Sequence, residues 1–166
     1  LNESINLNNS NLFYGSPILS FKNKLIVSSN QFTYIIDSIS GSVIYKVNFS
    51  SQVKPIVLND YLFSITKKDL LVAMNIFNGK VIFSSDINQD ISDFLKVKKY
   101  KIEVKTINIV NDYIYVFLNN SYYLKYNLEG KLKEIKKFPS KINSQPIFIQ
   151  NSIIFLDRKN KLSIID

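Results

Sequence analysis

Three residue types are absent from this chain of 166 residues, and each absence removes a class of site. The sequence contains no cysteine, no histidine and no tryptophan. Without cysteine the chain can form neither a disulfide nor a thiolate metal site. Without histidine it can form neither a serine–histidine catalytic triad nor a histidine-ligated zinc site. We therefore expect no bound metal, no cofactor and no enzymatic activity.

Arginine is nearly absent as well, although the chain is basic. Arg158 stands against 20 lysines and 13 acidic residues, which gives a net charge of +8. A basic surplus attracts acidic partners such as nucleic acid or anionic lipid. However, 25 isoleucines, 20 asparagines and 20 lysines fill 65 of the 166 positions, a bias typical of an AT-rich genome. Nucleic-acid recognition relies on arginine forks and aromatic platforms, so we expect no nucleic-acid partner.

Long apolar runs are also missing. No uninterrupted apolar stretch reaches the 18 or so residues that a membrane-spanning helix requires. We therefore expect any membrane contact to depend on an anchor outside this sequence.

The most informative feature that is present is an internal repeat. Residues 37–45 (DSISGSVIY) return as residues 75–83 (NIFNGKVIF), and the two glycines are 38 residues apart. A shorter copy occupies residues 127–134 (NLEGKLKE), and a fourth begins at residues 162–166 (LSIID). A period near 40 residues indicates stacked units of one supersecondary type.

Each repeat is predicted to fold into four β-strands. β-Branched and aromatic residues dominate the runs, and asparagine, aspartate and glycine mark the breaks between them. The inner strands are apolar on both faces, as in residues 70–74 (LLVAM), whereas residues 131–136 (KLKEIK) alternate like an outer edge strand. This pattern is typical of β-propeller blades, which are four-stranded antiparallel sheets.

We predict an all-β fold with about four propeller blades in a single domain over residues 1–166. The predicted blades are residues 17–49, 55–86, 106–137 and 146–166, with residues 1–14 as a possible closing strand. Four blades are few for a closed ring, so we expect either part of a larger propeller or a homodimer that completes an eight-bladed one.

Residues 87–105 are predicted to form an insertion between the second and third blades, because Gly79 and Gly130 are 51 residues apart. Insertions between blades map to loops on one rim, where binding residues concentrate. Its candidate partner-binding residues are two aromatics and four lysines: Phe94, Lys96, Lys98, Lys99, Tyr100 and Lys101. The alternative is a solvated hairpin or lengthened strand pair with lysines outward. Helix is expected at most weakly, over residues 90–99.

Aspartate or asparagine recurs at one position of each repeat, at Asp37, Asn75, Asn127 and Asp166. Oxygen ligands suit calcium, but equivalent positions of different blades lie too far apart to share an ion. We therefore interpret these residues as caps of a tight turn before glycine. Asp86, Asp90 and Asp93 lack the glycine and glutamate of a calcium loop.

Tyrosine is concentrated in the third repeat. Alternation along the predicted strands places its tyrosines on two faces of the sheet, and we expect them to pack in the core with hydroxyls at the rim. The members are Tyr113, Tyr115, Tyr122, Tyr123 and Tyr126.

The repeat resembles the PQQ-like propeller family over nearly the whole chain. In that family a strand ending in aspartate precedes a Thr-Gly turn, and tryptophan follows four residues after the glycine. The position of that tryptophan is occupied by Tyr45 in the first repeat, Phe83 in the second and Glu134 in the third. Tryptophan is thus replaced throughout, and the contacts that tie blades together are expected to be weakened or replaced.

The resemblance is strongest to the BamB-type scaffold lipoproteins of outer-membrane β-barrel assembly, of which this chain corresponds to about half. It implies a periplasmic, outer-membrane-associated, non-enzymatic scaffold with a protein partner, such as a β-barrel assembly subunit. Binding by strand addition at a blade edge or by rim loops is then expected.

Two other functions remain open at this point. The first is a degenerate quinoprotein dehydrogenase-type propeller whose pyrroloquinoline quinone site lies outside this chain, because that site needs tryptophan and cysteine. The second is a carbohydrate- or ligand-binding propeller, for which no residue pattern is present.

Overall fold

The computed structural model describes residues 16–98, 102–150 and 152–165. Within these ranges the chain forms fifteen strands and one helix. It divides into two compact units, Leu1–Ser84 and Ser85–Asp166. The predicted closing strand at residues 1–14 lies outside the described residues.

Unit 1 contains two antiparallel sheets, each ordered in space as in sequence. Sheet 1 consists of β1 (Leu19–Phe21), β2 (Lys24–Ser28), β3 (Thr33–Asp37) and β4 (Val43–Val47). Sheet 2 consists of β5 (Ile56–Leu58), β6 (Tyr61–Ile65), β7 (Leu70–Asn75) and β8 (Val81–Asp86), of which the last two residues belong to unit 2.

Unit 2 begins with the helix α1 (Ile87–Leu95) and continues with two more antiparallel sheets. Sheet 3 consists of β9 (Val104–Val110), β10 (Tyr113–Leu118), β11 (Tyr122–Asn127) and β12 (Leu132–Lys137). Sheet 4, as far as the structure describes it, has three strands: β13 (Ile147–Ile149), β14 (Ser152–Leu156) and β15 (Leu162–Ile165). The predicted all-β fold of blade-like antiparallel sheets is confirmed.

The turns between third and fourth strands explain why the repeat carries Asp or Asn before glycine. The Asp37 carboxylate accepts hydrogen bonds from the backbone N–H groups of Ile39 (3.1 Å) and Ser40 (2.8 Å). The Asn75 side chain accepts from the backbone of Phe77 at 2.9 Å. Asn127 accepts from Lys131 at 2.8 Å. The capping interpretation is therefore confirmed at these three positions, and Asp166 lies outside the described residues.

The glycine of each turn is required by its backbone conformation. Gly41 and Gly79 have φ of +71° and Gly130 has φ of +79°, in the left-handed region that side chains disfavour. The turn from Asp157 to Asn160, which joins β14 to β15, has a similar construction without glycine. Asn160 adopts φ of +58°, and the Asp157 carboxylate accepts hydrogen bonds from the backbone N–H groups of Lys159 and Lys161. Asparagine tolerates this conformation better than other non-glycine residues.

In unit 1 the two sheets pack face to face through interleaved aliphatic side chains. The buried members of this core are Ile26, Ile35, Leu62, Met74 and Ile76. Tyr45 of β4 reaches across to sheet 2, where its hydroxyl donates a hydrogen bond to the Ile76 carbonyl at 2.6 Å. A Cβ placed on Gly79 would lie 3.1 Å from the ring carbon Cε2 of Tyr45. Tyr45 thus ties sheet 1 to sheet 2 through both its hydroxyl and its ring.

Unit 1 also buries a set of hydroxyl groups that the sequence pattern does not reveal. Ser28 and Thr33 are hydrogen-bonded at 3.0 Å, and Thr33 donates to the Phe49 carbonyl at 2.9 Å. Ser64 donates to Ser51 at 2.8 Å. Each group is partnered, so burial of these polar atoms is compensated.

The core of unit 2 is aromatic. Phe117 and Phe138 stack with ring centroids 5.8 Å apart, and Phe138 contacts Phe155 of sheet 4 at 5.1 Å. Tyr115 meets Phe148 at 4.7 Å. Aromatic pairs at these separations add stabilisation beyond the area that they bury.

The helix α1 is a departure from the sequence prediction. We expected a loop, a hairpin or at most a weak helix over residues 90–99, but the helix runs from Ile87 to Leu95. Asp86 caps it by accepting from the Gln89 backbone at 3.1 Å, and Ile87 and Ile91 are buried on one face. Two isoleucines one helical turn apart do not form an apolar repeat long enough to predict a helix, and isoleucine also favours strands.

The contrast between two glycines tests how much the Tyr45 contact constrains the fold. Both Gly41→Ala and Gly79→Ala place a side chain at φ of +71°, which costs about 1 kcal/mol of unfolding free energy. Gly79→Ala must also displace the Tyr45 ring, which adds roughly 1 kcal/mol. We expect Gly79→Ala to lower the urea midpoint clearly more than Gly41→Ala, where no atom lies within 4 Å of the new Cβ.

Equal losses of unfolding free energy in the two variants would show that the Tyr45 ring moves aside without an energetic cost. In the background Tyr45→Ala, the excess loss of Gly79→Ala is expected to disappear.

Candidate functional site

The predicted partner-binding segment is held on sheet 3 by the helix α1. The Ser85 hydroxyl donates to the Gly130 carbonyl at 2.8 Å, immediately before the helix. On the helix itself, Ile87 and Ile91 are buried and α1 lies against β12. The end of the helix is therefore presented from a fixed position and not from a free loop.

Asp90 contributes a buried polar contact to this attachment. Burial raises the pKa of the Asp90 carboxyl, and the neighbouring Tyr126 hydroxyl opposes that rise. The Tyr126 ring is fully buried, and burial together with the Asp90 charge raises the pKa of its hydroxyl well above 10. The Tyr126 hydroxyl thus lies beside the Asp90 carboxyl beneath the helix.

The helix ends in a compact exposed surface, which we name the α1 tip: Phe94, Leu95, Lys96, Val97 and Lys98. Lys96 adopts the left-handed conformation (φ 54°, ψ 42°), and the Val97 N–H donates to the Ser92 carbonyl at 3.1 Å. This cap reverses the chain, so three large apolar side chains and two lysines are exposed together. Their apolar members are exposed to 49% (Phe94), 41% (Leu95) and 45% (Val97).

Half of the predicted site residues can thus be placed. Phe94, Lys96 and Lys98 lie together on the α1 tip, whereas Lys99, Tyr100 and Lys101 fall outside the described residues. Leu95 and Val97 were not among the predicted site residues, because all of those are aromatic or basic. Their exposure follows from the left-handed cap at Lys96, which no sequence signal marks.

Unit 2 also contains a cavity of about 300 Å³ between sheets 3 and 4. Its walls combine the rings of Tyr113, Tyr115, Tyr123 and Phe148 with Lys125, Glu134 and Lys136. The Lys125 ammonium lies 4.1 Å from the centroid of the Tyr113 ring, a cation–π contact. Burial and the neighbouring Glu134 raise the pKa of Tyr123 to about 12.

The cavity borders the position at which the third repeat departs from the repeat pattern. Glu134 occupies the position that Tyr45 occupies in the first repeat, four residues after the glycine. Tyr45 contacts the neighbouring sheet at Gly79 and Ile76, whereas Glu134 borders the cavity. The tyrosines that line the cavity lie on one face of sheet 3, while Tyr126 lies on the other, as alternation predicted.

Metal binding is not supported by the geometry of the described residues. In residues 16–98, 102–150 and 152–165 no three acidic groups approach closely enough to hold an ion. Asp86 caps α1, and Asp93 accepts from the Gln89 side chain at 2.8 Å. The described helix α1 is too short to cross a membrane, and nothing else in these ranges forms a membrane-spanning helix.

Comparison with solved structures places the fold. The crystal structure of BamB from Moraxella catarrhalis superposes with a TM-score of 0.70 and 15% identity, covering 90% of this chain and 42% of that one. The computationally designed proteins Ika4 and Ika8 each superpose with a TM-score of 0.66 and 10% identity over 90% of this chain. This chain covers 88% of Ika4 and 44% of Ika8.

The sequence matches no protein-family model and no curated protein. The likeness to BamB, at 15% identity, concerns the fold, and the chain spans less than half of the BamB length. The chain is thus an all-β protein of four antiparallel sheets with the β-propeller fold.

The Asp90–Tyr126 contact predicts a pH dependence of stability. Because the folded-state pKa of Asp90 is raised above the ordinary value of 3.8, its contribution to stability is complete below about pH 3.8. The contribution is lost as pH rises through the raised value. The side chain in the Asp90→Asn variant cannot ionise. Through this pH window we therefore expect the urea midpoint of the variant to rise relative to that of the wild type, and at higher pH the difference between the two midpoints should stay constant.

The variant Tyr126→Phe provides the matched test. It removes the hydroxyl that lowers the Asp90 pKa, so in this variant the pH at which the Asp90 contribution to stability is lost should move upward. A constant offset between Asp90→Asn and wild type from about pH 3 to pH 8 would contradict a raised Asp90 pKa.

Proposed function

We propose that this chain is a non-enzymatic protein-interaction scaffold. The observation that carries the proposal is the α1 tip, in which apolar and basic side chains are exposed together on a helix fixed to sheet 3. Rigid presentation lowers the entropy cost of binding, because the contact residues are already ordered. Exposed aromatic and aliphatic residues with a charged border are typical of protein-binding surfaces.

The residue composition agrees with this function. The sequence lacks histidine and cysteine altogether. The acidic residues around α1 serve the helix, because Asp86 caps it, Asp90 pairs with Tyr126 and Asp93 accepts from Gln89. We therefore propose that the chain binds partners and does not transform them.

The more specific proposal is a BamB-like function in outer-membrane protein assembly. It is supported by the resemblance of the repeat over nearly the whole chain and by the likeness of the fold to BamB from Moraxella catarrhalis. The chain would then lie in the periplasm, associated with the outer membrane, and its partner would be a β-barrel assembly subunit. The lysines of the α1 tip favour an acidic surface on that partner.

The direct test is binding of the chain to the β-barrel-inserting subunit from the same organism, measured by calorimetry at two salt concentrations. We expect binding that weakens about tenfold or more in the double variant Phe94→Ser/Val97→Ser, because hot-spot apolar contacts carry most interface energy. Lys96→Gln/Lys98→Gln should reduce the salt dependence instead.

Ile82→Ser is the matched control, since Ile82 on β8 is exposed to 52%, close to the 49% of Phe94. Circular dichroism should show that all variants keep the strand spectrum. Equal binding by Phe94→Ser/Val97→Ser and Ile82→Ser would remove the α1 tip from the proposal. Absence of any binding by the wild type would remove the β-barrel assembly subunit as partner.

A further inference from the structure

The cavity between sheets 3 and 4 is lined by both apolar and charged side chains. The apolar part includes Tyr115 of β10 and Phe148 of β13, whose ring centroids lie 4.7 Å apart, and the isoleucines Ile153 and Ile165. Its volume of about 300 Å³ is at the lower end of the range for small-molecule sites. The cavity belongs to unit 2, and none of its residues lies on the α1 tip. A ligand bound there would add a property that the scaffold function does not include.

Three charged side chains line the cavity from one face of sheet 3. The register places Lys125 of β11 directly opposite Glu134 of β12. Lys136 follows Glu134 by two residues along β12, so its side chain projects from the same face. Directly opposite residues on neighbouring strands are about 5 Å apart. Glu134 therefore lies between two lysine positions.

These charges do not neutralise each other within the protein. In the described ranges the one ion pair joins Lys22 to Asp60, so neither lysine of the cavity is paired with Glu134. The Lys125 ammonium lies instead over the ring of a tyrosine, 4.1 Å from its centroid. The Tyr123 hydroxyl beside Glu134 is neutral at pH 7, because burial and the Glu134 charge raise its pKa to about 12. The cavity therefore offers two ammonium groups and one carboxylate to a ligand.

The charge pattern distinguishes between classes of small ligand. A cation would meet two ammonium groups, and the Tyr113 ring is already covered by Lys125. An anion would meet the Glu134 carboxylate. An uncharged ligand such as a sugar would displace water from all three charges without supplying an opposite charge to any of them. A zwitterion supplies both signs, since its carboxylate complements the lysines and its ammonium group complements Glu134.

We propose that this cavity binds a free α-amino acid with an aromatic or aliphatic side chain. The carboxylate of the ligand binds Lys125 and Lys136, and its ammonium group binds Glu134. Its side chain packs against Tyr115 and Phe148. Charge-assisted hydrogen bonds fix the orientation of such a ligand, and the aromatic rings remove its apolar part from water. These residues come from four strands, so no local sequence motif marks the site.

Calorimetry on the full chain with L-phenylalanine as the probe tests the proposal. We expect one ligand per chain with a Kd of about 1 mM or tighter, the range open to a ligand of this size. Two analogues each lack one charge: 3-phenylpropanoate has no ammonium group, and 2-phenylethylamine has no carboxylate. Each should bind about tenfold more weakly or worse, because a charge-assisted interaction is lost. Absence of L-phenylalanine binding would overturn the proposal, and so would equally tight binding of either analogue or of glucose.

The variant Glu134→Gln tests the site of the ammonium group. It should weaken the binding of L-phenylalanine about tenfold. It should also strengthen the binding of 3-phenylpropanoate, whose carboxylate no longer meets a like charge. Glu129→Gln is the matched control, since Glu129 is exposed in the turn between β11 and β12 and does not line the cavity. The control should leave both affinities unchanged.

The variant Lys136→Gln tests the site of the carboxylate in the same way. It should weaken the binding of L-phenylalanine about tenfold and strengthen that of 2-phenylethylamine. Lys133→Gln is its control, because Lys133 is exposed on the same strand and does not line the cavity. A gain of affinity for one analogue cannot come from loss of folding. If Glu134→Gln and Lys136→Gln change the affinities no more than their controls do, the proposal is wrong.

Discussion

Each sheet of this protein has two apolar faces, and neither can be left in water without cost. A sheet of three or four short strands is marginal alone and gains stability by packing against another. The pairing of sheet 1 with sheet 2 and of sheet 3 with sheet 4 satisfies one face of each. The exposed aliphatic face of sheet 4, with Ile147, Leu162 and Ile164, is what this constraint leaves over.

The turns set the spacing at which those faces meet. Asp37, Asn75 and Asn127 end a strand by accepting backbone hydrogen bonds, and the glycine that follows each of them supplies the left-handed residue. The residue four positions after the glycine lies where it can contact the neighbouring sheet. At this position the Tyr45 hydroxyl donates a hydrogen bond to the Ile76 carbonyl, whereas Glu134 borders a cavity. Equivalent positions of the first and third repeats thus have different surroundings, a packed contact and a cavity wall.

Much of the architecture could be read from the sequence because its signals are local. Strand composition, the Asx residues and the glycines act over a few residues, so the class of fold, antiparallel sheets of short strands, was predicted as found. The helix α1 was predicted only weakly and over residues 90–99, because its stability comes from the burial of Ile87 and Ile91 and from the Asp90–Tyr126 contact across 36 positions. Part of the candidate site could be predicted from the sequence. Phe94, Lys96 and Lys98 were predicted, whereas Leu95 and Val97 became candidates only through the cap that the structure shows at Lys96.

The sequence by itself determined the repeat, the all-β class and the exclusion of histidine and cysteine chemistry, because each depends on residue identity or short-range pattern. The tertiary structure decided which face of each sheet is covered, since alternation makes both faces of an inner strand apolar and does not say which neighbour takes which face. It also decided that residues 87–95 form a helix whose end is exposed. Those outcomes depend on contacts between residues far apart in the chain, which no local pattern encodes.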